Sequence, residues 1–591
     1  MKGTTILYLR QKRNWQKSTR KHTMTLHKTT YLTLALVFGA TYLSAQEVKP
    51  PEKTEKTVSE EIEIVRPYKP VLAEAVKLRR SPDLDNIKTY KAKFNYQITD
   101  RKLELNTDIQ KLQAQKVADE RKTELLNNYA KGGFGNLGTF LAEAYVGMGQ
   151  DPALQAGAFF RHFGQSGKLN KQDENRQQLS VFARSIGDRA TLNGKLNYQR
   201  HGLYFYGINE NDLSLNPNPE RQVLNFFEVE GEAISKFSPD PDALSYAAKV
   251  NGYLFNDRFS AKENSLTLTG YLNKRIRTFN LGLAASAELG STKDRNTSVS
   301  NNLLRVNPYI KIQAGGVKII AGANIAQEFG TSTSTRIFPA VTADFTLIED
   351  FLQVFGEVKG DVNRNTLKDL TDENPFLNNN IFIKNSVEKL SISGGIKGTG
   401  GPGFGYKARF YSKQITDMPL FVNNFASFNK FDVIYDFGTT KVMGLEGELS
   451  VQVSDNLKWT GKLNMEDYEA GAERESYFKP QMRVSSNFMY VFNKKFTFDA
   501  SVAIQDDSKA KVFTANPLNP DGTYPATPDF ANETIVNVKG FVDLGLGANY
   551  KINNKFSAFA KANNILNTNY SRFLYYRLNG FNIFGGLTYS F

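Results

Sequence analysis

From residue 137 to Phe591, apolar and polar residues alternate with a period of two, in run after run. The clearest run is 535–550, where Val536, Val538, Gly540, Val542, Leu544, Leu546, Ala548 and Tyr550 share one parity and Asn537, Lys539, Asp543 and Asn549 the other. Successive side chains of a strand point to opposite faces, so this pattern predicts a strand with one apolar and one wet face. The turn Asn553-Asn554-Lys555 follows, and then Phe556, Ala558, Ala560 and Ala562 oppose Ser557, Lys561 and Asn563. The same design recurs around Asn493-Lys494-Lys495, between Phe488, Tyr490, Phe492 and Phe496, Phe498, Ala500, Val502. It recurs again around Ser454-Asp455-Asn456.

Long polar stretches rich in Asn, Asp, Pro and Thr separate the hairpins at 364–386, 417–436 and 506–533. Short turns on one side and long loops on the other are the asymmetry of outer-membrane barrels. A β-sandwich or propeller would also bury the apolar parity. The 455 residues of uninterrupted hairpins, with no second layer of different texture, favour a closed barrel instead. The fold class expected is therefore all-β, a transmembrane antiparallel up-and-down barrel over 137–591. At roughly 20 to 25 residues per strand with its share of loop, that span predicts about 18–22 strands, an even number.

The last strand sets Phe581, Ile583, Leu587, Tyr589 and Phe591 on one parity against Asn582, Thr588 and Ser590, and the sequence stops on Phe591. This resembles the terminal strand of bacterial outer-membrane proteins. The resemblance implies that Phe591 and Tyr589 form the signal read by the outer-membrane assembly machinery.

Composition agrees with a membrane barrel: 43 Phe, 27 Tyr and 45 Gly stand in a chain that is still 23% charged. The net charge of +14 suggests nucleic acid until it is located. Eight of the 74 basic residues and none of the 60 acidic ones fall in residues 1–45, so the rest carries 66 against 60. A nucleic-acid binder would show a clustered basic face, and none is expected here. The absence of Cys excludes disulfides, thiolate metal sites and a Cys nucleophile.

From Met24 the sequence reads as a basic start, an apolar run Tyr31–Leu43 and the small-residue site Ser44-Ala45-Gln46. That is the pattern of a signal peptide, with Met24 the natural start and cleavage expected after Ala45. The run is too short to span a bilayer as a helix, which needs about 20 residues. Three segments are expected: a leader over 1–45, a mostly irregular periplasmic tether or docking segment over 46–136, and the barrel over 137–591. Residues 71–135 show only a weak helical pattern around Ile109, Leu112, Leu125, Leu126 and Tyr129.

Certain residues carry a more specific likeness. GLEGEL at 444–449 with NLKWTGKL at 456–463, then Tyr477-Phe478-Lys479-Pro480, then Asn563-Asn564-Ile565-Leu566-Asn567 and Tyr570, resemble the C-terminal half of TonB-dependent receptor barrels. The N-terminal region shows no pattern like the plug domain of those receptors. YAKGGFGNLGT at 129–139, with Glu143, Tyr145, Leu196-Asn197-Tyr198 and Tyr204–Gly207, resembles a plug-lacking, TonB-receptor-like barrel family common in Bacteroidota, as does Arg66-Pro67-Tyr68-Lys69-Pro70. The likeness implies an outer-membrane address and contact with its lipid, and leaves the solute unassigned. Glu61-Ile62-Glu63-Ile64-Val65 resembles a TonB box, an exposed β-prone segment that pairs with the sheet edge of a periplasmic partner. A plain tether, or a docking strand for another periplasmic protein, is the alternative.

Few residues suggest chemistry. Gly133, Gly135 and Gly138, and again Gly398, Gly400 and Gly403, have dinucleotide spacing but no strand before and helix after, so they read as turn glycines. After residue 45 there are two His, His162 and His201, with no nucleophile motif or metal-ligand pairing around them. No enzyme activity and no cofactor is expected. Glu228, Glu230 and Glu232 share a parity opposite Phe227, Val229, Gly231 and Ala233, so they should line the lumen. They read either as a cation-selective row or as a solvated wall offset by Lys249 and its neighbours. The expected function is a channel or receptor-like barrel for passage of a solute. The alternative is an accessory barrel of an envelope secretion or assembly complex.

Overall fold

The computed structural model describes residues 128–591 except 149–150, 152, 211–217, 237–242, 402, 455 and 514–532. Twenty-two strands pair antiparallel in one sheet, each with the next around the wall. The first, Tyr129–Gly135, pairs with the last, Asn582–Ser590, in a register running from Tyr129↔Ser590 to Gly135↔Phe584. Asn128 and Phe591 exchange backbone hydrogen bonds of 3.2 and 3.0 Å below that seam. No helix among the described residues is long and apolar enough to cross a membrane. The closed sheet can cross, because its strands pair around the whole wall and leave no edge open to lipid.

The alternation read in the sequence decides which way each strand faces. On Lys262–Ile276, Leu266, Leu268 and Leu272 stand exposed on the outside, whereas Ser265 and Tyr271 are buried within. At the short-turn end, Tyr490, Phe492, Phe496, Phe498, Tyr550, Phe556, Tyr589 and Phe591 all point outward. They touch across strands, with Phe496 4.6 Å from Tyr550 and Phe556 4.9 Å from Tyr589 between ring centroids. This is one of the aromatic girdles of a membrane barrel. The turns beneath it suit their residues. Asn493 and Lys494 both take positive φ, the conformation of a tight hairpin turn, and the Asn553 side chain accepts from the amides of Lys555 and Phe556 at 2.8 Å.

Several segments differ from the sequence reading. The wall begins at Tyr129 rather than 137, and Tyr129 is in a strand, not a helical pattern. Its strand, YAKGGFG, shows Phe134 as the one large outward residue, so it lacks a visible apolar face. The run 535–550 is two strands. Glu533–Val538 pairs with Ser508–Phe513 in a separate hairpin, and Phe541–Lys551 rejoins the wall. Gly540 makes the break: its amide donates to Asp507 at 2.7 Å, and the Gln505 carbonyl leaves no room for a Cβ. That hairpin occupies part of the stretch 506–533 read as loop. The stretch 417–436 is mostly strand, since Phe404–Asn423 and Phe431–Ser454 run 20 and 24 residues, about twice what spans a bilayer. Beyond the wall these strands are covered on both faces, since the consecutive residues Leu420 and Phe421, which point to opposite sides, are both buried. Of the glycines read as turns, Gly138 and Gly403 lie in turns with positive φ, whereas Gly133, Gly135 and Gly398 lie in strands.

Candidate functional site

The largest apolar core among the described residues is not in the wall but at the long-loop end. By the asymmetry of such barrels, that end faces outward from the cell. Three loops supply its centre. The loop after Tyr204 contributes Tyr206, the loop after Asn363 contributes Phe376, and the loop after Asn563 contributes Tyr576. Tyr206 meets Tyr576 at 5.1 Å and Phe376 at 6.0 Å, both edge to face, and Phe376 stacks on Tyr576 at 3.5 Å. These loops join the fifth strand to the sixth, the thirteenth to the fourteenth, and the last two of the wall. They leave the barrel at points spread around its circumference, so their rings can meet only over the lumen.

Polar contacts lock the rings in place. The Tyr206 hydroxyl donates to the Arg577 carbonyl at 3.1 Å, the Gln172 amide donates to the same oxygen at 2.6 Å, and the Tyr576 hydroxyl donates to the Asn429 carbonyl. Asn429 in turn donates to the Phe205 carbonyl at 2.8 Å. Phe431, Phe478 and Phe573 extend the cluster, with centroids 5.5 Å apart for both pairs that include Phe573. Burial pushes the Tyr206 and Tyr576 phenols above their ordinary range. Burial, and then the Glu473 carboxylate, does the same to Tyr477.

The loop carrying Phe376 is held to the wall by a buried carboxylate. Glu263, on the strand Lys262–Ile276, accepts from the Tyr253 hydroxyl and Thr292 hydroxyl, each at 2.7 Å. It also accepts from the amides of Leu367 and Lys368 at 2.7 and 3.3 Å, which open the short helix Leu367–Glu373. A helix start exposes unpaired N–H groups, and a carboxylate placed there satisfies them. Thr366 caps the same turn by accepting from the Asp369 amide at 3.0 Å. At the far end Lys479 pairs with Glu373 at 2.7 Å, tying in the loop that carries Phe478.

Below this cap the lumen is polar. Arg305 pairs with Glu288 and with Asp361, the latter at 2.9 Å, and Asn324 donates to Asp361 at 2.9 Å. A cavity of about 180 Å³ lies beside them, lined also by Ser286, Asn307 and Lys359. No group of residues among those described is arranged to hold a metal ion.

The sequence-predicted residues fall as follows. Glu228, Glu230 and Glu232 lie on the inner face, opposite the exposed Phe227 and Val229. Lys195 stands 3.6 Å from Glu228, Lys249 stands 2.8 Å from Glu230, and Asn193 donates to Glu232 at 3.0 Å. Phe591 and Tyr589 stack at 5.7 Å in the girdle. His162 packs on Phe140, and His201 binds Glu174 at 2.9 Å on another strand, so the two are not brought together. Glu61, Ile62, Glu63, Ile64 and Val65, the leader and nearly all of 46–136 lie outside the described residues. The cap residues Tyr206, Phe376, Tyr576 and Glu263 were not among the expected sites. The one signal for the three rings is aromatic density inside polar loops, as in Phe573, Tyr575 and Tyr576 of SRFLYYRLNG; Glu263 has none.

No family model and no curated protein sequence matches the chain. Solved structures do. The FrpB iron transporter from Neisseria meningitidis aligns with a TM-score of 0.57 at 11% identity, over 78% of this chain and 81% of that one. The siderophore receptor PirA from Acinetobacter baumannii gives 0.57 at 10%, over 78% and 80%. The ferripyoverdine receptor of the outer membrane of Pseudomonas aeruginosa gives 0.54 at 14%, over 78% and 71%. The chain has the fold of an outer-membrane receptor barrel. At such identities the likeness is one of fold, and together with the 22-strand wall it points to the outer membrane.

Proposed function

We propose that this barrel carries a solute across the outer membrane, and that the interlocked loops form an outer closure which must part for passage. The observation that carries this reading is the meeting of Tyr206, Phe376 and Tyr576 over the lumen, with a polar, ion-paired lumen beneath. A wall of 22 strands is wide enough to leave an aqueous lumen unless something fills it. A barrel that serves only as a scaffold has no need of both a wet interior and a lid across it. Residues 61–65 fit this reading as a strand offered to a periplasmic partner that drives or times the opening.

Planar-bilayer recording on the refolded full chain tests the proposal. The native protein should conduct little, and a variant carrying Tyr206→Ala, Phe376→Ala and Tyr576→Ala should conduct openly. Silence in both proteins, with the barrel intact, would favour the scaffold reading and remove this one.

A further inference from the structure

The outer surface of the wall carries a patch that the proposed passage does not use. On the strands Ser245–Asn256, Lys262–Ile276, Phe279–Lys293 and Ser298–Ala314, the outward residues fall into rows across the sheet. The row nearest the loops sets Lys262 directly opposite Lys293. The next sets Asn264 opposite Ser291, and Ser291 opposite Ser300. The third sets Gly252 opposite Leu266, and Leu266 opposite Leu289. The fourth is wholly apolar, with Val250 opposite Leu268 and Leu304 opposite Ala287. Each step down the wall is two residues, about 7 Å. The surface therefore grades from charged through polar to apolar along the membrane normal.

Two features make this more than the ordinary edge of a lipid-facing band. Like charges directly opposite on neighbouring strands repel, and Lys262 and Lys293 are both exposed with no side-chain partner among the described residues. Two rows below, Gly252 leaves a gap beside Leu266. There Val229, Leu254, Leu266 and Leu289 flank a shallow, open hollow, with Asn264, Ser300 and Asn302 on its upper side. An unpaired cationic pair attracts an anion, and an apolar hollow two rows beneath it accepts an aliphatic chain. One molecule offering both at that spacing is an acylated phosphate.

We propose that this face binds a phosphorylated lipid of the outer leaflet. Lys262 and Lys293 take the phosphate, Asn264, Ser291 and Ser300 take the polar linkage, and the hollow at Gly252 takes an acyl chain. The lysine pair is tolerated because its charge is neutralised by the bound headgroup.

Native mass spectrometry of the full chain in detergent, titrated with dimyristoyl phosphatidic acid, tests this. One equivalent should stay bound, and phosphatidylcholine with the same chains should be held much more weakly. Replacing the pair together, Lys262→Gln with Lys293→Gln, should weaken phosphatidic acid by about 30-fold. Gly252→Phe should weaken it as well with both lysines in place. A Cβ at Gly252 meets its nearest atoms at 3.7 and 3.8 Å, so that variant keeps the wall, as its migration on unboiled gels will show. Equal retention of the two lipids, or unchanged affinity in both variants, would overturn the proposal. Displacement of the lipid by an equal concentration of inorganic phosphate would overturn it too, since the acyl chain would then contribute nothing.

Discussion

The ring of Tyr206 stands edge-on to the ring of Tyr576, centroids 5.1 Å apart, although their loops leave the barrel wall at separate points. Such a pair adds about 0.5–1.5 kcal/mol beyond the area it buries. Truncating Tyr576, which is 1% exposed, should cost the cap about 3–5 kcal/mol. Hydrogen exchange should rise in residues 204–210 and 374–383 as well as around 576, while the wall strands stay protected. Exchange that rises only beside residue 576 would show that the three loops do not open as one unit.

The carboxylate of Glu263 has four donors pointed at it. Glu263→Ala leaves them buried without a partner and should destabilise the Leu367–Glu373 loop by about 3 kcal/mol. Glu263→Gln keeps the shape and part of the accepting capacity, so its effect should be smaller. Limited proteolysis between residues 364 and 386 ranks the two variants, and equal cleavage would contradict the account.

Phe591 is held by its neighbours at the seam and by its stack on Tyr589. Deleting it removes two backbone hydrogen bonds and one girdle ring, too little to unfold a finished barrel. Its expected effect is on assembly. Cells making the deletion should accumulate far less heat-modifiable barrel in the outer membrane, whereas the same protein refolded in detergent should regain most of its structure. A normal yield in cells would remove Phe591 as an assembly signal.

Glu230 is offset by Lys249 at 2.8 Å and Glu228 by Lys195 at 3.6 Å. Lys249→Gln with Lys195→Gln should leave that row of carboxylates uncompensated and shift the lumen toward cations. Reversal potentials, measured across a salt gradient in the variant lacking the three cap rings, report the change. An unchanged potential would mean that this wall does not face the path of the ions.

How much was legible in advance depends on the range of the contacts. Phe488, Tyr490 and Phe492 announce their strand because its period of two is local, and the turns at 493–495 and 553–555 carry residues that suit tight bends. Tyr206, Phe376 and Tyr576 have no common period and lie in segments of polar texture. Their meeting is a product of closure, which brings together loops far apart in sequence. Gly540 fits the parity of a single long strand. Only the crowding at Gln505 reveals it as the break. The carboxylates at 228–232 were placed on a face by parity, but parity does not say which cations stand opposite.

The seam also has a history in time. The barrel cannot close until Ser590, about 460 residues further along the chain, pairs with Tyr129. Until then Tyr129–Gly135 is an open strand edge, the kind that recruits other chains. Its sequence suits the wait: with three glycines, a lysine and only two aromatic rings in seven residues, it makes a poor template for a stranger. It zips fully once Asn582–Ser590 offers the matching glycines, Gly585 and Gly586.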